Sequence, residues 1–261
     1  MRSLDTGATG MMAQQMNVDV ISNNIANMTT TGFKRQRIEF ADLMYQSYTR
    51  PGTASSSGGT TVPSGLQVGL GVRPVATYRI HEQGSVEITN NDFDVSISGK
   101  GYFQVQLPNG DTAYTRGGSF QLNQNGEMVT PQGYLLEPTI TIPNDALGVE
   151  INEEGEVLVS LPQQTSQQNV GQIQLADFVN PSGLEPIGDT MFQETDASGS
   201  PTTGNPQADN FGKVIQGTLE LSNVDSVKEL TSLITAQRAY EMNSNIITTS
   251  DEMMNTVNQM R

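Results

Sequence analysis

The chain has no cysteine, no tryptophan, a single histidine and no apolar run of membrane-spanning length. Without cysteine there is no disulfide, no thiolate metal ligand and no cysteine nucleophile. With His81 alone, a histidine-rich metal cluster is excluded and a Ser-His-Asp relay would rest on one residue, so His81 is read as structural. Apolar residues fill 35% of the 261 positions and aromatics 6%, which is lean for one compact globule and compatible with one large or two modest domains. The opening residues, MRSLDTGATGMMAQQ, carry one arginine but no apolar stretch of the kind a cleaved signal peptide needs. The expectation is export without a cleaved signal and no membrane insertion.

Basic residues are also scarce, and unevenly so. The formal charge is −15. Residues 1–50 hold five Lys and Arg against four Asp and Glu, whereas residues 101–210 hold Arg116 alone against fourteen acids. Such a middle region stays solvated and is a poor partner for nucleic acid, while the near-neutral ends are left free to pack.

What is present at those ends is helical spacing. Leu4, Met11, Val18 and Ile25 recur every seven residues, as do Leu233, Tyr240, Ile247 and Met254, with Leu230 broadening the second stripe. Each end has one clean heptad column and a poor second one: Ala8, Gln15 and Ser22, then Gln237, Ser244 and Asp251. A self-sufficient two-helix coil has two apolar columns, so these helices are expected to need several neighbours. Pairing of the two ends with each other, completing an ordinary domain, stays open as the alternative. Gly7 and Gly10 weaken the first helix by about 1 kcal/mol each relative to Ala.

Between the ends the period becomes alternating. Phe103, Val105 and Leu107 alternate with Tyr102, Gln104 and Gln106 ahead of Asn109-Gly110, and Ala113 to Arg116 reads as the return strand. Asn125-Gly126 and Glu154-Gly155 repeat the device, in the similar strings LNQNGEMV and INEEGEVLV. Each is a hairpin turn that wants positive φ. Residues 50–65 and 196–210, rich in Gly, Ser, Thr and Pro, read from composition as flexible connectors. The order helix, loop, β region, loop, helix makes an α+β fold whose terminal helices form a discontinuous, coiled-coil-like inner domain beside a mainly antiparallel β domain. The expected boundaries are 1–30 and 224–261 for the helical part, 31–70 and 206–223 for the connecting region, and 71–205 for the β part.

Catalytic and cofactor motifs fail on inspection. SGKGYF at 98–103 has Asp94 where a phosphate loop wants glycine and Gly101 where it wants Ser or Thr. GLGVRP lacks the third glycine of a dinucleotide fingerprint. Glu153-Glu154 lies in a turn, and no GxSxG elbow occurs. No cofactor, metal or catalytic residue is expected.

The segment after the first helical stretch, SNNIANMTTTGFKR at 22–35, has the order Asn-Asn, a further Asn, then Thr-x-Gly-Phe-Lys. Asn23, Asn24, Asn27, Thr31, Gly32, Phe33 and Lys34 thereby resemble the N-terminal signature of the bacterial flagellar axial rod and hook family, and QRAYEMNSNIITTSDEMM at 237–254 is similar to that family's C-terminal signature. Residues 63–105 look like the distal-rod branch, with proximal rod or short hook members as the alternative within the family. The resemblance implies a non-enzymatic subunit of the basal body, crossing the periplasm as a straight helical tube of its own copies that passes torque to the hook. It implies proximal rod proteins below, hook protein above, the L and P rings around, and the flagellar export apparatus as a transient partner. It implies a stiffening insertion at 46–65 with Tyr48, Pro51, Pro63 and Leu66 ordered by neighbours. The signature itself is expected to end the helix and turn the chain outward, its asparagines tolerating left-handed backbone and Phe33 anchoring the emerging chain. A soluble β-domain binding module or hydrolase with ordinary helical termini is the reading from another class.

Overall fold

Both stretches with helical spacing are helices. A computed structural model describes residues 2–49, 64–162, 166–208 and 210–260; helix α1 runs Arg2–Ala26 and helix α2 Ser226–Gln259, with short strands between them. The entry to α2 is fixed by Asp225, whose Oδ1 accepts from the Val227 and Lys228 amides and so satisfies two of the free N–H groups of the first turn. The contacts divide the chain into two units, one of residues 1–25, 36–78 and 225–261, the other of residues 26–35 and 79–224.

In the first unit α1 and α2 run antiparallel. Ser250 donates to Ser3 at 3.2 Å, Gly7 faces Ile247, Gly10 faces Asn243, and Asn24 donates to Glu229 at 3.3 Å. The two ends do pair with each other, through a seam of small and polar residues. Gly7 and Gly10 are there because the helices approach closely: a Cβ on Gly7 would lie 3.0 Å from the Ile247 side chain, and one on Gly10 2.9 Å from Asn243. The heptad columns flank this seam. Leu4, Met11, Val18, Ile25, Leu233 and Met254 are half-buried, Ile247 is half-buried at the seam, and Leu230 and Tyr240 are exposed. The strands Gln36–Asp42 and Val72–Arg79 pair, as do Tyr45–Thr49 and Leu66–Gly69 with Thr49 opposite Leu66. Tyr48 and Leu66 are exposed on this second pair, and the Arg2 guanidinium lies 4.8 Å from the Tyr48 ring. Pro51 and Pro63 lie outside the described residues. Ala13, Ile21 and Ala236 are the buried apolar side chains this unit can show among its described residues.

The second unit has a full core. A sheet of nine strands runs, in order, Glu185–Gly188, Met191–Gln193, Thr112–Thr115, Tyr102–Gln106, Leu135–Glu137, Met128–Val129 and Gln121–Leu122, with Leu175–Asp177 also on Tyr102–Gln106 and Thr202–Gly204 beyond it. Gly148–Ile151, Glu156–Ser160 and Gln168–Gln172 make a three-stranded sheet. The alternation at 102–107 sorts side chains to two sides that are both covered. Phe103 joins Val95, Ile97, Phe120, Met128 and Leu136. Tyr102 joins Tyr114, Phe178 and Phe192 in a second, aromatic cluster, where the Tyr114 and Phe178 rings meet edge to face at 4.7 Å. Even Gln104 is buried.

Composition misleads at 196–210. Over residues 196–208 the chain is built into the β unit rather than left as a loose connector: Thr202–Gly204 pairs with Leu175–Asp177, and Ser198 is buried, its hydroxyl accepting from the Thr195 amide. Hydroxyl side chains here satisfy the backbone locally, which composition alone cannot distinguish from flexibility.

The hairpin turns share one device. At 107–111, 123–127, 130–134 and 152–156 the first amide donates to the carbonyl four residues on, and the fourth residue, a glycine of positive φ, donates back to the first carbonyl. This is a type I turn closed by a glycine bulge, with one left-handed residue instead of two. The similar strings at 122–129 and 151–159 go further. Asn123 bonds Glu127 and Asn152 bonds Glu156 through their side chains, and the carbonyls of Gly126 and Gly155 each accept the amide of a core isoleucine, Ile142 and Ile173, at 2.7 Å. Gly126→Ala, at φ +80 with its Cβ driven into the Ile142 carbonyl, is therefore expected to destabilise by more than about 3 kcal/mol, and Gly110→Ala, with open space, by about 1–2 kcal/mol. Urea unfolding midpoints of the two variants check the order.

Candidate functional site: the buried anchor of the 22–35 segment

The segment between α1 and the first strand is fastened at two points. Asn24, on the last turn of α1, is buried, and its side-chain amide acts as a peptide group for the returning chain. Its Oδ1 accepts the Gln36 amide at 2.8 Å and its Nδ2 donates to the Gln36 carbonyl at 2.9 Å, besides reaching Glu229. A leucine or aspartate cannot do both. Asn23 is exposed and Asn27 half-buried, the Asn27 carbonyl and side chain receiving the Thr30 amide and hydroxyl. None of the three asparagines has positive φ; the left-handed residue of the segment is Gly32, at φ +68. The asparagines thus serve through their side chains, and glycine makes the turn. A Cβ on Gly32 would stand 2.6 Å from the Gly117 nitrogen, so the position is closed to any other residue. Thr31 is half-buried and Phe33 buried.

Lys34 follows Asn24 by ten positions and is the second fastening. Its side chain, like that of Glu220, has no exposed surface, and Nζ donates to Glu220 Oε1 at 2.6 Å and to the Glu82 carbonyl at 2.7 Å. The Glu220 carboxylate also accepts the Gly84 amide at 2.9 Å and faces Arg116 at 3.4 Å, while its backbone carbonyl takes the Gly32 amide at 2.8 Å. Arg116, buried, donates to the Gly99 carbonyl and lies 5.2 Å from the Tyr102 ring. Glu220, at the end of strand Thr218–Glu220, therefore joins the backbone at Gly84, Arg116 just past strand Thr112–Thr115, and the signature loop through Gly32 and Lys34. Burial pulls the Lys34 amine below its ordinary value and Glu220 opposes the shift.

His81 sits against this cluster, with Nδ1 2.7 Å from the Tyr102 hydroxyl and its ring edge-on to Phe192. Burial, with the Lys34, Arg79 and Arg116 cations nearby, pushes the imidazole down to about 4. A neutral ring, able to accept the phenol proton, is what the site holds, in keeping with a structural His81. The described residues contain no group of three or more His, Asp or Glu placed to hold a metal ion, and no helix among them is long and apolar enough to cross a membrane.

Gly32 and Lys34 both bond Glu220, whereas the heptad residues and Tyr48 and Leu66 lie in the other unit. Glu220, Arg116, Asn24's bridging role and Glu229 were not legible in advance. The available signal was Arg116, the lone base among fourteen acids.

Residues 4–34 match the family model described as flagella basal body rod protein, residues 96–159 that of the flagellar hook protein FlgE/F/G D1 domain, and residues 215–260 that of the flagellar basal body rod FlgEFG protein C-terminal. The chain is 54% identical over 261 residues, all of both chains, to the flagellar basal-body rod protein FlgG of Caulobacter vibrioides. It is 46% identical to that of Borreliella burgdorferi over 263 residues, covering 100% of this chain and 99% of the relative. To the flagellar hook-basal body complex protein FlhP of Bacillus subtilis it is 30% identical over 274 residues, all of both chains. The chain belongs to the FlgG family of flagellar basal-body rod proteins, a family of structural subunits of the flagellum. Membership of a family of structural subunits favours the rod reading over that of a free-standing binding module or hydrolase.

Two outcomes test the anchor. Glu220→Gln leaves two buried cations without their carboxylate and is expected to destabilise the chain by about 3–5 kcal/mol in urea unfolding, with Lys34→Met added to it costing less than the sum of the two single changes. For His81 the folded value lies below the ordinary 6.5. The unfolded chain therefore takes a proton that the folded one refuses, and stability is lost as pH falls from 6.5 to about 4, by at most about 3 kcal/mol. Unfolding free energies of His81→Gln across that window should lack this part of the slope.

Proposed function

We propose that this chain is a non-enzymatic subunit that stacks with copies of itself into a straight, rigid helical tube, the distal rod, and passes motor torque to the hook. The observation that carries this is where large apolar side chains are left in water. Along α2, Met242, Ile246, Met253 and Val257, and Met260 at its C-cap, are all exposed, at spacings of four, seven, four and three residues, and Val227, Leu230 and Ile234 form a second exposed group. On α1, Met12 and Met16 are exposed. Stripes of this size on a unit with so few buried apolar residues call for further copies to cover them.

In this reading residues 1–30 and 224–261 line the inside, 71–205 face outward, and 31–70 with 206–223 connect them. Leu4, Met11, Val18, Ile25, Leu230, Leu233, Tyr240, Ile247 and Met254 lie at contacts between copies, and the 46–65 insertion, with Tyr48 and Leu66 at its described edges, braces neighbours. Proximal rod proteins adjoin one end, hook protein the other, and the L and P rings surround the tube after passage through the export apparatus.

Electron microscopy of concentrated full-length protein should show straight fibres; curved ones would point to hook, and their absence at all concentrations would defeat the proposal. Met253→Asp with Val257→Asp, both on the exposed stripe, should abolish fibres with a change in chain stability within about 0.5 kcal/mol.

A further inference from the structure

The β unit carries six Lys and Arg against nineteen Asp and Glu, a balance of −13. Stacking copies brings such surfaces together, and like charges at a contact oppose it. Its few cations are not spread evenly. Lys34 and Arg116 are buried, Arg35 and Arg79 half-buried, and the remaining two, Lys100 and Lys213, line one open cleft of about 530 Å³ with Gln207, Asn210 and Phe211. Its floor is bare backbone: a Cβ on Gly99 would lie 2.8 Å from the Gly212 Cα, and the Gly212 amide donates to the Lys100 carbonyl.

The rim already shows how a carboxylate is held there. Lys213 bonds one oxygen of Glu153 at 2.7 Å, and Gln207 donates to the other at 2.8 Å. Lys100, exposed, has no ion pair among the described residues. We propose that this cleft is a carboxylate-docking site between copies, in which Lys100 of one chain receives an Asp or Glu from the acidic 101–210 stretch of another. The chemistry fits that occupant: the ligand groups are abundant on the same molecule, the contact is heterologous and so propagates along a polymer, and it offsets the repulsion that stacking creates.

The inference rests on the assembly reading above, and the test separates the two. Full-length chains, half of them ¹⁵N-labelled, are polymerised together, treated with a zero-length carbodiimide and mapped by mass spectrometry. Amide links from Lys100 to an acid of 101–210 in the oppositely labelled copy are expected. Fibres whose Lys100 links only within its own copy, or not at all, overturn the docking site and leave assembly intact; no fibres from the unaltered chain overturn both. Lys100→Glu should raise the lowest fibre-forming concentration by about tenfold at about 50 mM salt, with less effect at about 0.5 M, and Lys100→Arg should restore it. An unchanged threshold for Lys100→Glu also counts against the site.

Discussion

The Glu220 carboxylate is the point on which the β unit's attachment to the signature loop depends. It is fully buried, and a buried carboxylate is tolerable only when its oxygens are matched by charge and hydrogen bonds at the same time. Here one oxygen takes the Lys34 ammonium and the Gly84 amide, the other faces Arg116, and the residue's own carbonyl takes the Gly32 amide. Such a cluster adds little to net stability compared with an apolar filling. Its value is selective: a chain shifted by one residue at 32–34 would bury a charge without a partner, so one register of the loop is strongly favoured over its neighbours. Burial, with the Lys34, Arg79 and Arg116 cations nearby, holds His81 neutral beside this cluster, its Nδ1 sharing a hydrogen bond with the Tyr102 hydroxyl.

Much of this architecture was legible because its signals are local. Helical spacing marked both helices, and the glycines at 110, 126 and 155 marked hairpins, since a left-handed residue at a fixed offset leaves a mark in the sequence. The helix seam was not legible for an equally physical reason. Ser3, Gly7, Gly10 and Asn24 carry no hydrophobic signal, and it is their smallness and hydrogen bonding that let α2 approach. Columns of Leu, Met, Val and Ile mark where apolar area lies, and in this chain much of that area is not where the two helices meet. The Lys34–Glu220 pair joins residues 186 positions apart, and no local pattern announces a partner at that distance. The 196–210 stretch misled because Ser, Thr and Gly are common both to loose connectors and to tight hydroxyl-capped turns.

The two units divide two tasks that conflict in one domain. The β unit has three packed clusters of its own beneath a solvated acidic exterior. The helical unit has seven Lys and Arg against nine Asp and Glu, a balance near neutrality, and leaves its apolar stripes exposed. Charge thus keeps copies apart where the chain is already satisfied and imposes little barrier where it is not, so association is directed to one part of the molecule. Burial at about 25 cal/mol per Å² favours contact between the stripes, while exposed acids on the β unit disfavour misplaced contact.

A surface that repels everywhere would also forbid the lateral contacts a stiff polymer requires. The distribution of the few cations resolves that tension. Five of the six in the β unit are buried or half-buried, and three of them, Lys34, Arg79 and Arg116, lie near His81. Lys100 alone is exposed, and it shares one cleft with half-buried Lys213, which is matched by Glu153 of its own chain. A lone exposed ammonium on an otherwise acidic face specifies both the place and the chemistry of a contact, because any other approach of two such faces meets like charge. Screened surface attraction of this kind contributes little per pair, but in the proposed array each copy would make it on two sides, and geometric selectivity survives even where the energy is modest.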